Sequence, residues 1–252
     1  SLAAGGSRGR ETATARGGFY VLQQLAAKLR RQPERTSVLV QGFGNVGAHF
    51  TRIAAHAGYR IAGVADSRAA VLARGDKTLD YLSLAQAKRD YGTVDPCRCI
   101  QGKRPCRCPD HRHVSEAEFL TASTDVLVLA ALENQVTAAN ANAVRAKVIL
   151  ELANGPVAAE ADALLAKRRV TVVPDILANA GGVAVSYFEW QQNLKGESWT
   201  EAEVKNQLQP LMENAFAKVW EASRRHRTDL RRAAYHVALQ QLQTAVAARW
   251  PK

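Results

Sequence analysis

The run Val38-Leu39-Val40-Gln41-Gly42-Phe43-Gly44-Asn45-Val46-Gly47 constrains this chain more than any other feature. A β-branched apolar stretch feeds directly into Gly-x-Gly-x-x-Gly, and a helix-forming sequence begins inside the motif. Thr36 to Gln41 is predicted as a buried strand and Asn45 to Ala57 as the helix. Gly42 permits the tight turn, Gly44 lets the backbone approach a diphosphate, and Gly47 lets the helix pack closely on the sheet. Amide hydrogens from Gln41 to Val46 then face an anion at the helix N-terminus. Asp66 ends the next predicted strand, about twenty residues further on, where a carboxylate accepts hydrogen bonds from an adenosine ribose. Strand, turn, helix and acid in register predict a dinucleotide site. Asp66 opposes a 2′-phosphate and so favours NAD; Ser67 and Arg68 could donate to that phosphate, which leaves NADP open.

The rest of the chain alternates in the same way. After a helix at 15–31, the predicted order continues with strand Arg60 to Ala65, helix Tyr81 to Tyr91 and strand Thr124 to Ala130. Helix Thr137 to Arg145, strand Lys147 to Leu152, helix Ala158 to Arg168 and strand Val170 to Val173 follow. Strands apolar on both faces predict an α/β fold: a Rossmann-like, doubly wound, mainly parallel sheet with helices on both faces. Beyond residue 177 strand signals stop, and 177–196, 200–224 and 227–249 read as helices. The expected organisation is a dinucleotide-binding domain over 1–176, with a cysteine-rich insert at 95–113, and C-terminal helices over 177–252 that pack on it and line a substrate cleft.

With 252 residues, 47% hydrophobic and 23% charged, the composition is that of a globular chain. Apolar runs such as Val126 to Leu132 are too short to span a bilayer, and no secretory leader opens the sequence, so a cytoplasmic protein is expected. A formal charge of +11 raises the question of a polyanionic partner. There is no basic tail and no aromatic platform, so nucleic acid is not expected, and Arg224, Arg225, Arg227, Arg231 and Arg232 read as a solvated helix face.

All four cysteines fall within Cys97-Arg-Cys99-Ile-Gln-Gly-Lys-Arg-Pro-Cys106-Arg-Cys108, with His111 and His113 just beyond. Six soft or borderline ligands are enough for a tetrahedral zinc site, and the basic neighbours lower the thiol pKa values. A structural metal, a redox-active thiol set and a plain surface insert all fit the pattern.

Several further segments, in unbroken order, resemble the glutamate-using branch of the Glu/Leu/Phe/Val dehydrogenase family. They are Gly5 to Arg10 with Ala13-Thr-Ala-Arg-Gly17, Gln41 to Gly47, Ala65-Asp-Ser-Arg68, Ala130-Ala-Leu-Glu-Asn134, Ala153-Asn-Gly-Pro156, Pro174 to Gly182 and Val185 to Trp190. The resemblance implies that Thr14 and Asn154 meet the nicotinamide end, Asn45 and Val46 the pyrophosphate, and Asp66 and Ser67 the adenosine ribose. It implies Ala130, Ala131 and Asn134 beside the nicotinamide ribose, and Asn179, Val183 and Ser186 along the amino-acid pocket. Offsets of four and seven residues place those last three on one helix face. Where the family usually has glycine, this chain has Ala15 and Leu152, which add bulk near the implied nicotinamide position; Leu129 stands where proline is usual.

The same resemblance implies an N-terminal substrate domain that this sequence lacks, carrying a catalytic lysine, a proton-moving aspartate and most contacts of a homo-oligomer. The chain opens at Ser1-Leu2, which reads as a cloning remnant on an excised domain. No catalytic residue is therefore expected in it. It should bind dinucleotide, face an amino-acid substrate and not turn over glutamate alone. The rival expectation is a non-catalytic dinucleotide-binding sensor with a metal or redox insert.

Overall fold

In a computed structural model, residues 6–96 and 108–249 are described. Seven strands form one sheet: β1 Ser37–Gln41, β2 Arg60–Ala65, β3 Ala70–Ala73, β4 His111–Val114, β5 Thr124–Leu129, β6 Ala146–Glu151 and β7 Thr171–Val173. Their order is β4-β3-β2-β1-β5-β6-β7. The strands from β2 to β7 across the centre pair in parallel, while β3 and β4 close one edge antiparallel. The chain leaves β1 toward β2 on one side and later returns to β5 on the other. The crevice at the carboxyl ends of β1 and β5 is therefore the switch point where such sheets bind ligands.

Alternation along the strands sorts the core into two layers. Val38, Val40, Ile61, Val64, Val126, Val128, Val148 and Leu150 face one side, packed with α1 (Ala13–Lys28), α2 (Asn45–His56), α7 (Gly181–Lys195), α8 (Glu201–His226) and α9 (Leu230–Arg249). Leu39, Ala65, Leu127, Leu129 and Ile149 face the other, under α4 (Glu116–Leu120) and α5 (Ala159–Lys167). Helix α3 (Tyr81–Tyr91) sits beside α2, and α6 (Asp175–Ala178) leads into α7. Helices α1 and α7 cross in backbone contact: a Cβ on Gly17 would lie 2.8 Å from Gly181 Cα. That approach brings Thr14 against Gly182 and builds one wall of the cleft from both ends of the chain.

Three expectations are corrected. Thr137 to Arg145 is a series of turns, not a helix. The Asn140 side chain accepts from the Thr137 amide and donates to the Gln135 carbonyl, so local side-chain bonds displace the helical ladder. The segment 177–196 breaks at Asn179–Ala180 between α6 and α7. Arg231 does not belong to a solvated face. It forms a bidentate pair with fully buried Glu151 at 2.7 and 2.9 Å and also bonds Asp162, which ties α9 to β6 and α5. The antiparallel strands β3 and β4 carried no strand signal, being short and, in β4, polar. Among the described residues no helix is long and apolar enough to cross a membrane.

Candidate dinucleotide cleft

The glycine motif forms the turn at the carboxyl end of β1. Gly42 has φ +96°, and a Cβ there would collide with the Ala130 backbone; a Cβ on Gly47 would lie 1.8 Å from the Gly42 carbonyl oxygen. Turn, helix and β5 end are thus in contact, and only hydrogen fits between them. Gly44 differs: nothing lies within 4 Å of its Cβ position, so its surface faces open space in front of the α2 N-terminus. No acidic residue stands in the first turn of α2 to oppose an anion. The Asn45 amide group is turned away and donates to the Glu11 carbonyl at 2.8 Å, fastening α2 to the lead-in of α1.

Two cavities flank this turn and share Ala130, Ala131 and Leu132. The first, about 590 Å³, is bounded by Gly42 to Gly44, Ala65 to Ala70, Lys88 and the Val114–Glu116 edge. Asp66 lies in its wall with an engaged carboxylate. Oδ1 accepts from the amides of Arg68 and Ala69, and Oδ2 accepts from Lys88 Nζ at 2.7 Å and the Val94 amide at 2.9 Å. Burial pushes this carboxyl upward, but the bonds from Lys88, Arg68 and Ala69 outweigh it and leave the group below the ordinary carboxylate range. Ser67 and Arg68 are exposed at the same end, and the Arg68 guanidinium lies over Gly92. Gln41 closes the floor; its Nε2 donates to Glu116 and Gln135, while its buried Oε1 has no partner.

The second cavity, about 800 Å³, holds Thr14, Val46, Asn154, Asn179, Val183 and Ser186 in one wall system, together with Arg10 and Leu152. Asn179 Nδ2 donates to Asn154 Oδ1 at 2.7 Å, and Arg10 Nε donates to Ser186 Oγ at 2.9 Å. Val183 is exposed to the cleft rather than packed in the core. Leu152 is buried, fills the space above Gly18 and lines the cleft. Ala15 is buried in the regular part of α1, so no positive φ is asked of it. Asn134 lines neither cavity; it takes a left-handed conformation, φ 54°, in the loop that bonds to Gly155.

Of the residues read from sequence, the cavities thus gather Gly42, Gly44, Asp66, Ser67, Ala130 and Ala131 on one side and Thr14, Val46, Asn154, Asn179, Val183 and Ser186 on the other. The side chains of Arg10, Gln41 and Lys88 were given no role from the sequence. Arg10 stood inside a quoted segment, but Lys88 reaches Asp66 across 22 positions with nothing local to announce it. In the insert, Cys97, Cys99 and Cys106 lie outside the described residues. His111 and His113 meet Asp95 instead, away from the cleft floor.

A doubly wound sheet with a glycine turn and a helix N-terminus at its switch point defines a dinucleotide-binding domain. The chain belongs to the Glutamate/Leucine/Phenylalanine/Valine dehydrogenase family, whose pattern it matches over residues 5–249. Over 97% of its length it is 40% identical to an NADP-specific glutamate dehydrogenase of Synechocystis sp. and 36% identical to the cryptic catabolic NAD-specific glutamate dehydrogenase GudB of Bacillus subtilis. It covers 56% and 54% of those proteins, so it spans about half the length of the relatives it matches. The hetero-hexameric glutamate dehydrogenase of Thermus thermophilus superposes on 99% of the chain with a TM-score of 0.85 at 31% identity, and again 56% of that protein is covered.

Proposed function

We propose that this chain is the cofactor-binding half of an NAD(P)-dependent glutamate dehydrogenase, interconverting L-glutamate with 2-oxoglutarate and ammonia. The observation that carries the reading is the glycine turn at the switch point, with Gly44 open in front of the α2 N-terminus. Gly44 and the α2 N-terminus would hold the diphosphate, Ser67 and Arg68 would face the adenosine half, and Thr14 and Asn154 would meet the nicotinamide half. The dinucleotide, when bound, supplies hydride chemistry at the substrate α-carbon. Thr14 and the Asn154–Asn179 pair offer polar groups to its carboxamide end, while Leu152 and Val183 exclude water from the reacting face. Arg10 and Ser186 form a cationic, hydroxyl-bearing corner for a substrate carboxylate. The charged residues among those described along this cleft are Arg10 and Glu133, and we assign the activation of water and the movement of protons to the other half of the enzyme. The exposed row Tyr187, Trp190 and Leu194 along α7 suits contact with that half or with a further subunit of an oligomer.

The cofactor form follows from the state of Asp66. Both of its oxygens are taken by Lys88 and the loop amides, so it neither reaches for a ribose nor opposes a phosphate with a bare charge. Ser67, Arg68 and Lys88 at the same end favour the 2′-phosphate of NADP over NAD. The family relatives give no support to a stand-alone sensor.

The test is an assay of the isolated chain with glutamate and either dinucleotide. Measurable dinucleotide binding without sustained reduction is expected, and turnover should appear once the chain is joined to the N-terminal half of the Synechocystis relative. Steady turnover by the chain alone would overturn the assignment.

A further inference from the structure

Asp95 and the edge strand β4 carry a second constellation outside the cleft. His111 and His113 are two residues apart, so a strand projects both rings to one face, and the rings meet edge-on with centroids 5.7 Å apart. Asp95 approaches from the segment after α3. Its Oδ1 lies 3.4 Å from His113 Nε2 and 4.0 Å from His111 Nε2, and one donor atom from each of the three residues falls within 4.8 Å of the others. The side chains of Asp95 and His111 are 5% and 8% exposed. Buried His111 Nε2 has no hydrogen-bond partner. A buried imidazole nitrogen aimed at a carboxylate, too far to bond it, costs free energy that an ion between them would recover.

The donor chemistry is that of a borderline divalent ion. Two imidazole nitrogens and one carboxylate oxygen suit zinc, whose ligand atoms stand roughly 3.4 Å apart when bonds are about 2.0–2.1 Å and tetrahedral. Arg74, just after β3, has its Nε committed to the carbonyls of Cys108 and His111. Lys77 is held by Asp110 and the Pro109 carbonyl.

We propose that Asp95, His111 and His113 form a zinc-class metal site that pins the segment after α3 to edge strand β4. The site has a structural consequence for the cleft. Val94, next to Asp95, bonds Asp66, and Val114, next to His113, lines the adenosine cavity. An ion here would fix both flanks of that cavity without touching the reacting atoms.

Thiolates compete for zinc in any titration, so the test is made in a chain with Cys97, Cys99, Cys106 and Cys108 replaced by serine. That chain, stripped by chelator and titrated with zinc against a chromophoric competitor, should bind one equivalent. His111→Ala and Asp95→Asn should each weaken binding about tenfold or more, while unfolding temperatures in chelator stay close to that of the parent. Zinc should also raise the unfolding temperature of the parent and not that of His111→Ala. Binding weaker than about 100 µM, or binding indifferent to both substitutions, would overturn the site.

Discussion

Lys88 Nζ lies 2.7 Å from Asp66 Oδ2, with the Asp66 side chain only 4% exposed. The acid that the sequence suggested for a ribose therefore works inward. It closes the 66–69 loop through two amides, receives the Val94 amide and draws α3 to the end of β2. Asp66→Ala removes a buried acceptor from four donors and should lower stability by about 2–3 kcal/mol, read as a shift of the urea midpoint at constant slope. A shift under about 0.5 kcal/mol would mean that the carboxylate is not holding the loop.

The same geometry underlies the proposed preference for NADP. Arg68 and Ser67 are the exposed donors at this end of the cavity, so Arg68→Ala should weaken NADPH binding about tenfold, near 1.4 kcal/mol, and change NADH binding by less than about twofold. Fluorescence titration of both reduced cofactors on the parent and the variant checks it. Equal losses for the two would assign Arg68 to the common part of the dinucleotide.

Arg231 and Glu151 join three elements at the foot of the cleft's far wall. Glu151 is wholly buried, and burial outweighs Arg231 to raise its carboxyl above the usual range. Arg231→Met leaves that carboxylate without its bidentate partner, and a loss of about 3–5 kcal/mol is expected by denaturant unfolding. A double change, Arg231→Met with Glu151→Gln, should recover part of the loss, since no buried charge then remains unpaired.

Asp125 gives the acid limb of stability. Burial would raise its carboxyl, yet the Ser37 amide, Lys147, the Ser37 hydroxyl and Arg31 together hold it far below the ordinary range. A depressed folded pKa contributes stability that is complete above the unfolded value of about 3.9 and disappears as pH falls through the folded one. Asp125→Asn should therefore cost about 2 kcal/mol at pH 7, and the gap from the parent should narrow steadily below pH 4. A gap that stays constant from pH 7 to pH 3 contradicts the linkage.

How much of this was legible in the sequence depends on the range of the interactions. The glycine turn, the parallel strands and the shared α7 face of Val183 and Ser186 follow from local pattern, because turn sterics and helical period act within a few residues, whereas Asn179 joins them in the cavity from the break between α6 and α7. The antiparallel strands β3 and β4 escaped notice because pairing across the sheet, not composition, makes His111–Val114 a strand. The helix expected at 137–145 gave way to Asn140, whose side chain competes with the backbone. The long-range partners decided the rest. Lys88 for Asp66, Arg231 for Glu151 and Asp95 for the two histidines each lie from 16 to 80 positions away, and only the folded chain brings them together.

The central claim is that the Gly42–Gly47 turn holds a dinucleotide diphosphate, and Gly44 offers a direct way to test it. Its φ of −80° suits alanine and its Cβ position is empty, so Gly44→Ala should leave the unfolding temperature unchanged while the added methyl meets the diphosphate. Calorimetric titration of the parent chain with NADPH should show one equivalent bound, and the same titration of Gly44→Ala should show affinity at least about tenfold weaker. No heat from the parent, or equal affinity in the two proteins, would contradict the account.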